Sequence, residues 1–302
     1  MIYLFQQFLN GLHMSALYAL LAFGYALTNG VVRRTNLAYG ALFAFSGQTM
    51  ILVAVFGWYV LWLTLPATLA LGILAAFGYA ILASSILARS VLAPLAFRAP
   101  NAVVVATLGV ALMLMEIGRI AADTRDFWLP PLLSQPVAFA TEGNFRATLT
   151  VMQLINCAAI VLCLALATAI LGRSRFGRHW RAVCDDPKAA AMCGVDVPAV
   201  FRTAVVAGGV LAALAGILTA LYFGNVSFGT GLVFGLKILF VTAVGGYDAP
   251  QRAAIGAACF GMAETLWSGY FPVEWRDAAV FLGLVALLVL RPGSDETRIA
   301  RS

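Results

Sequence analysis

Residues 172–202 read GRSRFGRHWRAVCDDPKAAAMCGVDVPAVFR, the only long polar stretch in a chain that is otherwise nearly all apolar. Five basic residues come first (Arg173, Arg175, Arg178, His179 and Arg181). Asp185-Asp186-Pro187 follow, then an alanine-rich turn ending at Gly194, and a hydrophobic run begins at Thr203. Acidic residues followed by proline suit a helix start, where proline loses no hydrogen bond and a carboxylate meets the positive end of the helix dipole. A basic, structured segment set between apolar runs reads as a cytoplasmic docking element, and everything on either side of it reads as membrane.

The composition agrees. Hydrophobic residues make up 62% of the 302 residues and charged residues 11%, where a soluble domain is about half apolar and about a quarter charged. Mean hydropathy is +0.94. A bilayer-crossing helix needs roughly 20 apolar residues, and hydropathy predicts nine spans, at about 8–32, 37–56, 58–86, 100–122, 150–171, 203–223, 231–247, 252–270 and 278–291. The seventh is short and glycine-punctuated, and the count drops to eight if it is re-entrant. The N-terminus, MIYLFQQFLNGL, has neither a charged leader nor a small-residue cleavage site, so it reads as part of the first span.

The net charge of +6 reports orientation. Fourteen of the 19 basic residues (Arg33, Arg34, Arg89, Arg98, Arg173, Arg175, Arg178, Arg181, Lys188, Arg202, Arg252, Arg291, Arg298 and Arg301) fall on one side if the spans alternate. Arg125, Arg146 and Arg276 fall on the other, with Arg119 at a span end and Lys237 inside a span. This positive-inside pattern places the N-terminus outside and the C-terminus in the cytoplasm. It also argues against nucleic acid as a partner. The expected fold is therefore an all-α polytopic membrane protein of eight to nine transmembrane helices, some broken or re-entrant. The whole chain, 1–302, forms one membrane domain, with a cytoplasmic loop at 172–202 and an external loop at 123–149.

The residues offer little to an enzyme. There is no HExxH, no GxSxG and no carboxylate pair at helical spacing inside the spans. Gly172 to Arg178 has phosphate-loop glycine spacing but lacks the Lys-Ser/Thr that would reach phosphate and magnesium. Five cysteines without a Cys-x-x-Cys and two distant histidines give no disulfide framework and no metal site, and no cofactor is expected. Charges inside spans are the informative ones, because each costs a few kcal/mol unless it faces the bundle interior or a water-filled path. Lys237 and Glu264 are predicted to pair, with Glu116 nearer a span end. Asn10, Tyr18, Asn36 and Tyr39 form a second polar group in the first two spans, either bonding helices together or lining a pathway. Gly245-Gly246 marks a helix end.

Three blocks carry a family resemblance. Residues 10–47 hold Asn10-Gly11-Leu12, Ser15 with Tyr18-Ala19-Leu20, Gly24-Tyr25 and Asn36-x-Ala38-x-Gly40. Residues 175–218 hold a basic start, Asp186-Pro187, alanines, Gly194-Val195-Asp196 and an Ala/Gly-rich helix. Residues 235–292 hold Lys237, Gly245-Gly246, a glycine-bearing span with Glu264, and Arg291-Pro292. In this order they resemble the inner-membrane permease subunits of branched-chain amino-acid ABC transporters, over about residues 10–292. The resemblance implies a bacterial inner-membrane transport subunit with no ATP hydrolysis of its own. The implied partners, besides membrane lipid, are ABC ATPase subunits, a second related permease (or a second copy of this chain) and a periplasmic solute-binding protein. In that family the segment corresponding to 172–202 meets the ATPase, so Arg181, Asp186, Pro187 and Gly194 are expected to position a coupling helix. The chain departs from the family pattern at Arg33-Arg34-Thr35, at Leu37 and Tyr39, and at Tyr247 to Arg252. Urea or short-chain amides therefore stand beside branched-chain amino acids as substrates, and an ion-coupled secondary transporter is the rival class.

Overall fold

In lipid a segment must satisfy its own backbone hydrogen bonds, and the apolar runs accordingly fold as helices in the computed structural model, which describes residues 2–98, 100–142, 145–227, 229–246 and 249–290. α1 is Ile2–Val32, α2 Ala38–Tyr59 and α3 Leu65–Ile86; a π-helical turn at Leu87–Leu92 joins α3 to α4, Ala93–Arg98. There follow α5 (Pro100–Ala121), α6 (Val151–Arg173), α7 (Arg175–Asp185), α8 (Pro187–Met192), α9 (Val197–Phe223), α10 (Thr230–Gly245), α11 (Pro250–Tyr270) and α12 (Arg276–Leu290).

Among the described residues six helices are long and apolar enough to cross a membrane, against the eight or nine expected: Ile2–Val32, Ala38–Tyr59, Leu65–Leu95, Ala102–Ala121, Val151–Arg173 and Val197–Phe223. The last three expected spans also fold as helices, but α10 and α12 have only 16 and 15 residues, and α11 has the length without the apolarity. The third expected span, 58–86, begins later, at Leu65, because Pro66 occupies the first helical turn and Leu61–Thr64 carries no regular structure. The Tyr247-Asp248 part of the departing turn and the C-terminal arginines, Arg291, Arg298 and Arg301, lie outside the described residues.

The chain is predominantly helical, as expected, with one addition. The segment 123–149, read from sequence as a loop, contains an antiparallel hairpin of β1 (Pro136–Glu142) and β2 (Phe145–Thr150), irregular between Ala138 and Ala140. Its edge is held by the side-chain amide of Gln6, which donates through Nε2 to Thr148 O (2.9 Å) and accepts from Thr148 N at 2.7 Å. One amide thus substitutes for the backbone of a third strand. Thr150 then opens α6 with a capping box closed by Gln153.

Helix packing is layered. The apolar windows of α1, α2 and α9 are 94, 72 and 72% buried, while those of α3, α5 and α6 are 22, 28 and 17% buried, so the first three form the core and the others the outer ring. α1 packs on α11, α9, α6 and α10; α2 packs on α3, α9, α10 and α5. Small residues permit these approaches. A methyl group at Gly40 would lie 2.3 Å from Gly231 O and 2.4 Å from Gly235 Cα, so α2 and α10 touch backbone to backbone.

Contacts sort the helix ends into two groups. At one end Leu129 N donates to Gly224 O (2.8 Å), the Tyr3 hydroxyl donates to Gly269 O (2.8 Å), and Gln6 meets the hairpin. At the other, α7 meets the end of α1, and Arg89 and Arg202 line one shallow cavity with Ser85 and Thr203. The basic residues with described side chains in the 33–34, 89, 173–188 and 202 segments belong to this second group.

Candidate functional site

The end bearing the hairpin opens into a cavity of about 510 Å³ lined by residues of α1, α9, α10, α11, α12 and the segments between them. Its floor carries four charges. Lys237, only 2% exposed, donates from Nζ to Glu264 Oε1 at 2.7 Å and to Asp277 Oδ1 at 2.9 Å. Arg276 Nε lies 3.4 Å from Glu264 Oε1 and 3.2 Å from Asp277 Oδ1. The Tyr18 hydroxyl donates to Glu264 Oε2 at 2.7 Å, and its ring stacks on Phe234 at 5.9 Å between centroids. Phe234 also sits 5.9 Å below Lys237 Nζ. Two cations and two anions from three helices thus neutralise one another at the cavity floor.

The expected Lys237–Glu264 pair is present, and Tyr18 joins it. The sequence reading missed Asp277 and left Arg276 among the external basic residues; the acidic–basic doublet opening α12 was the available signal. The other polar residues of the first two spans lie elsewhere. Asn10 accepts from Gln6 Nε2 at 3.2 Å, near the hairpin. Asn36 Oδ1 accepts from Ala38 N at 3.1 Å while its own N–H donates to the Tyr25 hydroxyl at 3.3 Å, so it shapes the start of α2. Tyr39 is buried with its ring edge-on to Tyr25 at 5.4 Å. Glu116 is exposed and pairs with Arg119 one turn on, away from the bundle interior.

At the opposite end, α7 and α8 form a short helical pair outside the apolar bundle. Ser174 caps α7 by accepting from Gly177 N at 3.1 Å. α7 has a sharply divided face: Gly177, Trp180 and Val183 are buried, while Arg178 and His179 are exposed. Trp180 inserts fully and donates from Nε1 to Leu27 O of α1 at 3.0 Å. Arg181 Nη1 donates back to Leu171 O of α6 at 2.8 Å.

Asp186 caps α8, accepting from Lys188 N (2.8 Å) and Ala189 N (3.2 Å), and Pro187 supplies the first helical position without an N–H to satisfy. Gly194 ends the motif at φ +83° with open space where a side chain would stand, so a substitution there is strained through the backbone and not through contact.

A further residue fixes this pair. Arg33, in the turn between α1 and α2, adopts φ 54° and donates from its guanidinium to Cys184 O and, at 2.7 Å, to Asp185 O. The last carbonyls of a helix lack partners within it and carry the negative end of its dipole, and Arg33 answers both needs for α7. From sequence Arg33 registers as one of the basic residues of the cytoplasmic side and as a departure from the family pattern.

The backbone N–H groups of Ala189 and Lys188 hold the Asp186 carboxyl below its usual range. A lowered value means the cap is intact above the ordinary carboxylate range and is lost as pH falls through the lowered value. Asp186→Ala is expected to loosen α8 at neutral pH, whereas Asp186→Asn keeps the cap and removes its acid sensitivity. Protease nicking between residues 186 and 194 across an acid titration distinguishes the two.

A multi-helix membrane bundle with a charged cavity at one end and an anchored amphipathic helix pair at the other is the plan of a solute-transport subunit. The chain belongs to the family described as branched-chain amino acid transport system, permease component, whose pattern matches residues 7–290. It is 28% identical to the high-affinity branched-chain amino acid transport system permease protein LivH of Escherichia coli K12 over 297 residues, 96% of this chain and 94% of that protein. It is 27% identical to BraD, the permease protein so described in Pseudomonas aeruginosa, over 295 residues, 95% of this chain and 94% of that one. The autoinducer 2 import system permease protein LsrC of Klebsiella pneumoniae is 33% identical over 139 residues, 43% of this chain and 40% of that protein. No solved structure matches the chain. The protein is thus a multi-pass inner-membrane transport subunit and not an enzyme.

Proposed function

We propose that this chain is the membrane-spanning permease of an ATP-driven importer of branched-chain amino acids. One domain spans the whole chain. The end carrying 123–149 faces the periplasm and receives solute from a binding protein; the end carrying 172–202 faces the cytoplasm and receives the ATPases. A second related permease, or a second copy, closes the path. The observation that carries this reading is the anchoring of α7 and α8. Trp180 and Arg33 tie α7, and through it the adjoining α8, to α1 and its following turn, and α1 also lines the cavity through Met14. A push on the exposed face of α7 therefore reaches the solute cavity along a single helix. Arg181, Asp186, Pro187 and Gly194 set the shape of the pushed element, and Lys237, Glu264 and Tyr18 sit where solute passes.

The test is uptake of radiolabelled leucine in the native host with and without the chain, with isoleucine, valine, urea and a short amide as competitors. Leucine uptake is expected to vanish on deletion and to be blocked by isoleucine and valine alone. Lost urea or amide uptake with leucine uptake intact would move the substrate and leave the transport class standing. Uptake indifferent to ATP depletion but collapsed by an uncoupler would instead favour ion coupling.

A further inference from the structure

The cavity floor carries more charge than a passage needs. Lys237 and Glu264 are buried, where charged groups are costly to desolvate and a hydrophobic replacement of similar volume often stabilises. The arrangement of the four charged groups suits a ligand that brings one charge of each sign. We propose that the cavity is a transit binding site for the zwitterionic head of an α-amino acid. Its carboxylate is taken by Arg276 and Lys237, its ammonium by Asp277 and Glu264, and its side chain by the apolar wall of Met14, Val233 and Phe234. The inference rests on the reading above that the chain passes amino acids, and it assigns that passage a recognition chemistry.

Three observations support it. First, the four groups sum to zero charge, so a zwitterion exchanges internal ion pairs for pairs with itself and buries no net charge. A solute with a single charge can replace only one member of an internal pair and leaves the other without a partner, and an unpaired buried charge is the strongly penalised case. The site selects by that penalty.

Second, exposure is graded. The side chains of Lys237 and Glu264 are 2% and 8% exposed, those of Arg276 and Asp277 35% and 48%. The inner pair is fixed by packing and by Tyr18 on Glu264 Oε2, while the outer pair meets the incoming solute. Side chains at successive helix positions do not face each other, yet Arg276 and Asp277 meet at 3.2 Å, both lining the cavity. Their mutual contact is the one a zwitterion replaces.

Third, the donors and acceptors are of the right kind. A guanidinium presents a fork that matches a carboxylate. Lys237 has three N–H donors, of which two are engaged by carboxylates among the described residues. The cavity volume, about 510 Å³, falls within the ordinary range for small-molecule sites of roughly 300–1,000 Å³.

The experiment measures binding of tritiated leucine to the complete importer in nanodiscs, without the solute-binding protein, whose own specificity would otherwise dominate. Competitors are valine, 4-methylpentanoate (the carboxylate without the ammonium) and 3-methylbutylamine (the ammonium without the carboxylate). Saturable binding displaced by valine is expected, with each singly charged analogue at least tenfold weaker. Asp277→Asn is expected to weaken leucine binding tenfold or more, and Arg276→Gln likewise, with Arg276→Lys recovering part of it. Arg276 and Asp277 are partly exposed, so these variants should accumulate in the membrane as the wild type does, and immunoblotting checks this. Absence of saturable leucine binding, unchanged binding by Asp277→Asn and Arg276→Gln at normal levels, or equal displacement by the singly charged analogues overturns the inference. If host uptake of amino acids depends on the chain while any of these negatives is obtained, the zwitterion site alone falls. If deletion abolishes only urea or amide uptake, the amino-acid reading falls with it.

Discussion

Replacing Lys237 alone by methionine is expected to destabilise the protein far more than replacing Lys237 and Glu264 together. Lys237→Met removes the closest cation from a carboxylate that is 8% exposed and leaves it buried. Breaking a buried pair in this way costs about 3–5 kcal/mol. Arg276 Nε, 3.4 Å from the same Glu264 oxygen, softens the loss towards the lower end of that range. The double variant, Lys237→Met with Glu264→Gln, removes both the charge and its partner, and Tyr18 retains an amide to bond. It should recover most of the stability, giving a large non-additive term in the cycle. Thermal unfolding of the four purified proteins in one detergent measures it. Additive losses would show that the two residues are not coupled and that the pairing at 2.7 Å contributes nothing.

Trp180→Ala should abolish uptake while the protein still inserts. Trp180 is among the largest fully buried side chains of the molecule and joins α7 to α1 through both its ring and its Nε1 hydrogen bond to Leu27 O. Large-to-small changes at such a position cost about 3–5 kcal/mol. An 11-residue helix cannot compensate, because isolated helices of that length are marginal in water. α7 should therefore leave the bundle while the helices of the membrane domain stay in place. Trp180→Phe, which restores most of the buried ring and not the donor, should give intermediate uptake. Uptake assays paired with protease accessibility of 172–202 test both variants. Wild-type uptake by Trp180→Ala with the segment exposed to protease would dismiss α7 as a coupling element.

Much of this was legible from the residues alone. Uninterrupted apolar runs of about 20 residues select helices as the way to satisfy backbone polar groups in lipid, so α1, α2, α6 and α9 follow directly. The polar segment 172–202 stood out because nothing else in the chain resembles it, and its Asp186-Pro187 signature did start a helix. The pairing of Lys237 with Glu264 followed from the cost of burying either alone.

What escaped has physical causes. The strands β1 and β2 pair with each other and are held by Gln6, 142 residues from Thr148 in sequence, and a hydropathy scan sees neither contact. Arg276 and Asp277 stand at a helix start, where charges normally face water; only the fold brings them over Lys237. Asn36 and Tyr39 were grouped with Tyr18 by their shared position near the first spans, but the first two sit at the α1–α2 turn and the third lies deep in the bundle beside α11. Arg33 had no signature beyond its position, because its role depends on where α7 ends in space.

The balance of charge in the cavity also bears on how a motion of these helices would respond to the membrane voltage. Moving one elementary charge through the full field exchanges about 2.3 kcal/mol with each 100 mV. Lys237, Arg276, Glu264 and Asp277 lie within ion-pair distance of one another, so any motion of α10, α11 and α12 that carries the group intact moves two positive and two negative charges together. Such a motion does almost no electrical work. A rocking step that carried the group intact would therefore run at the same rate in an energised cell and in a depolarised one.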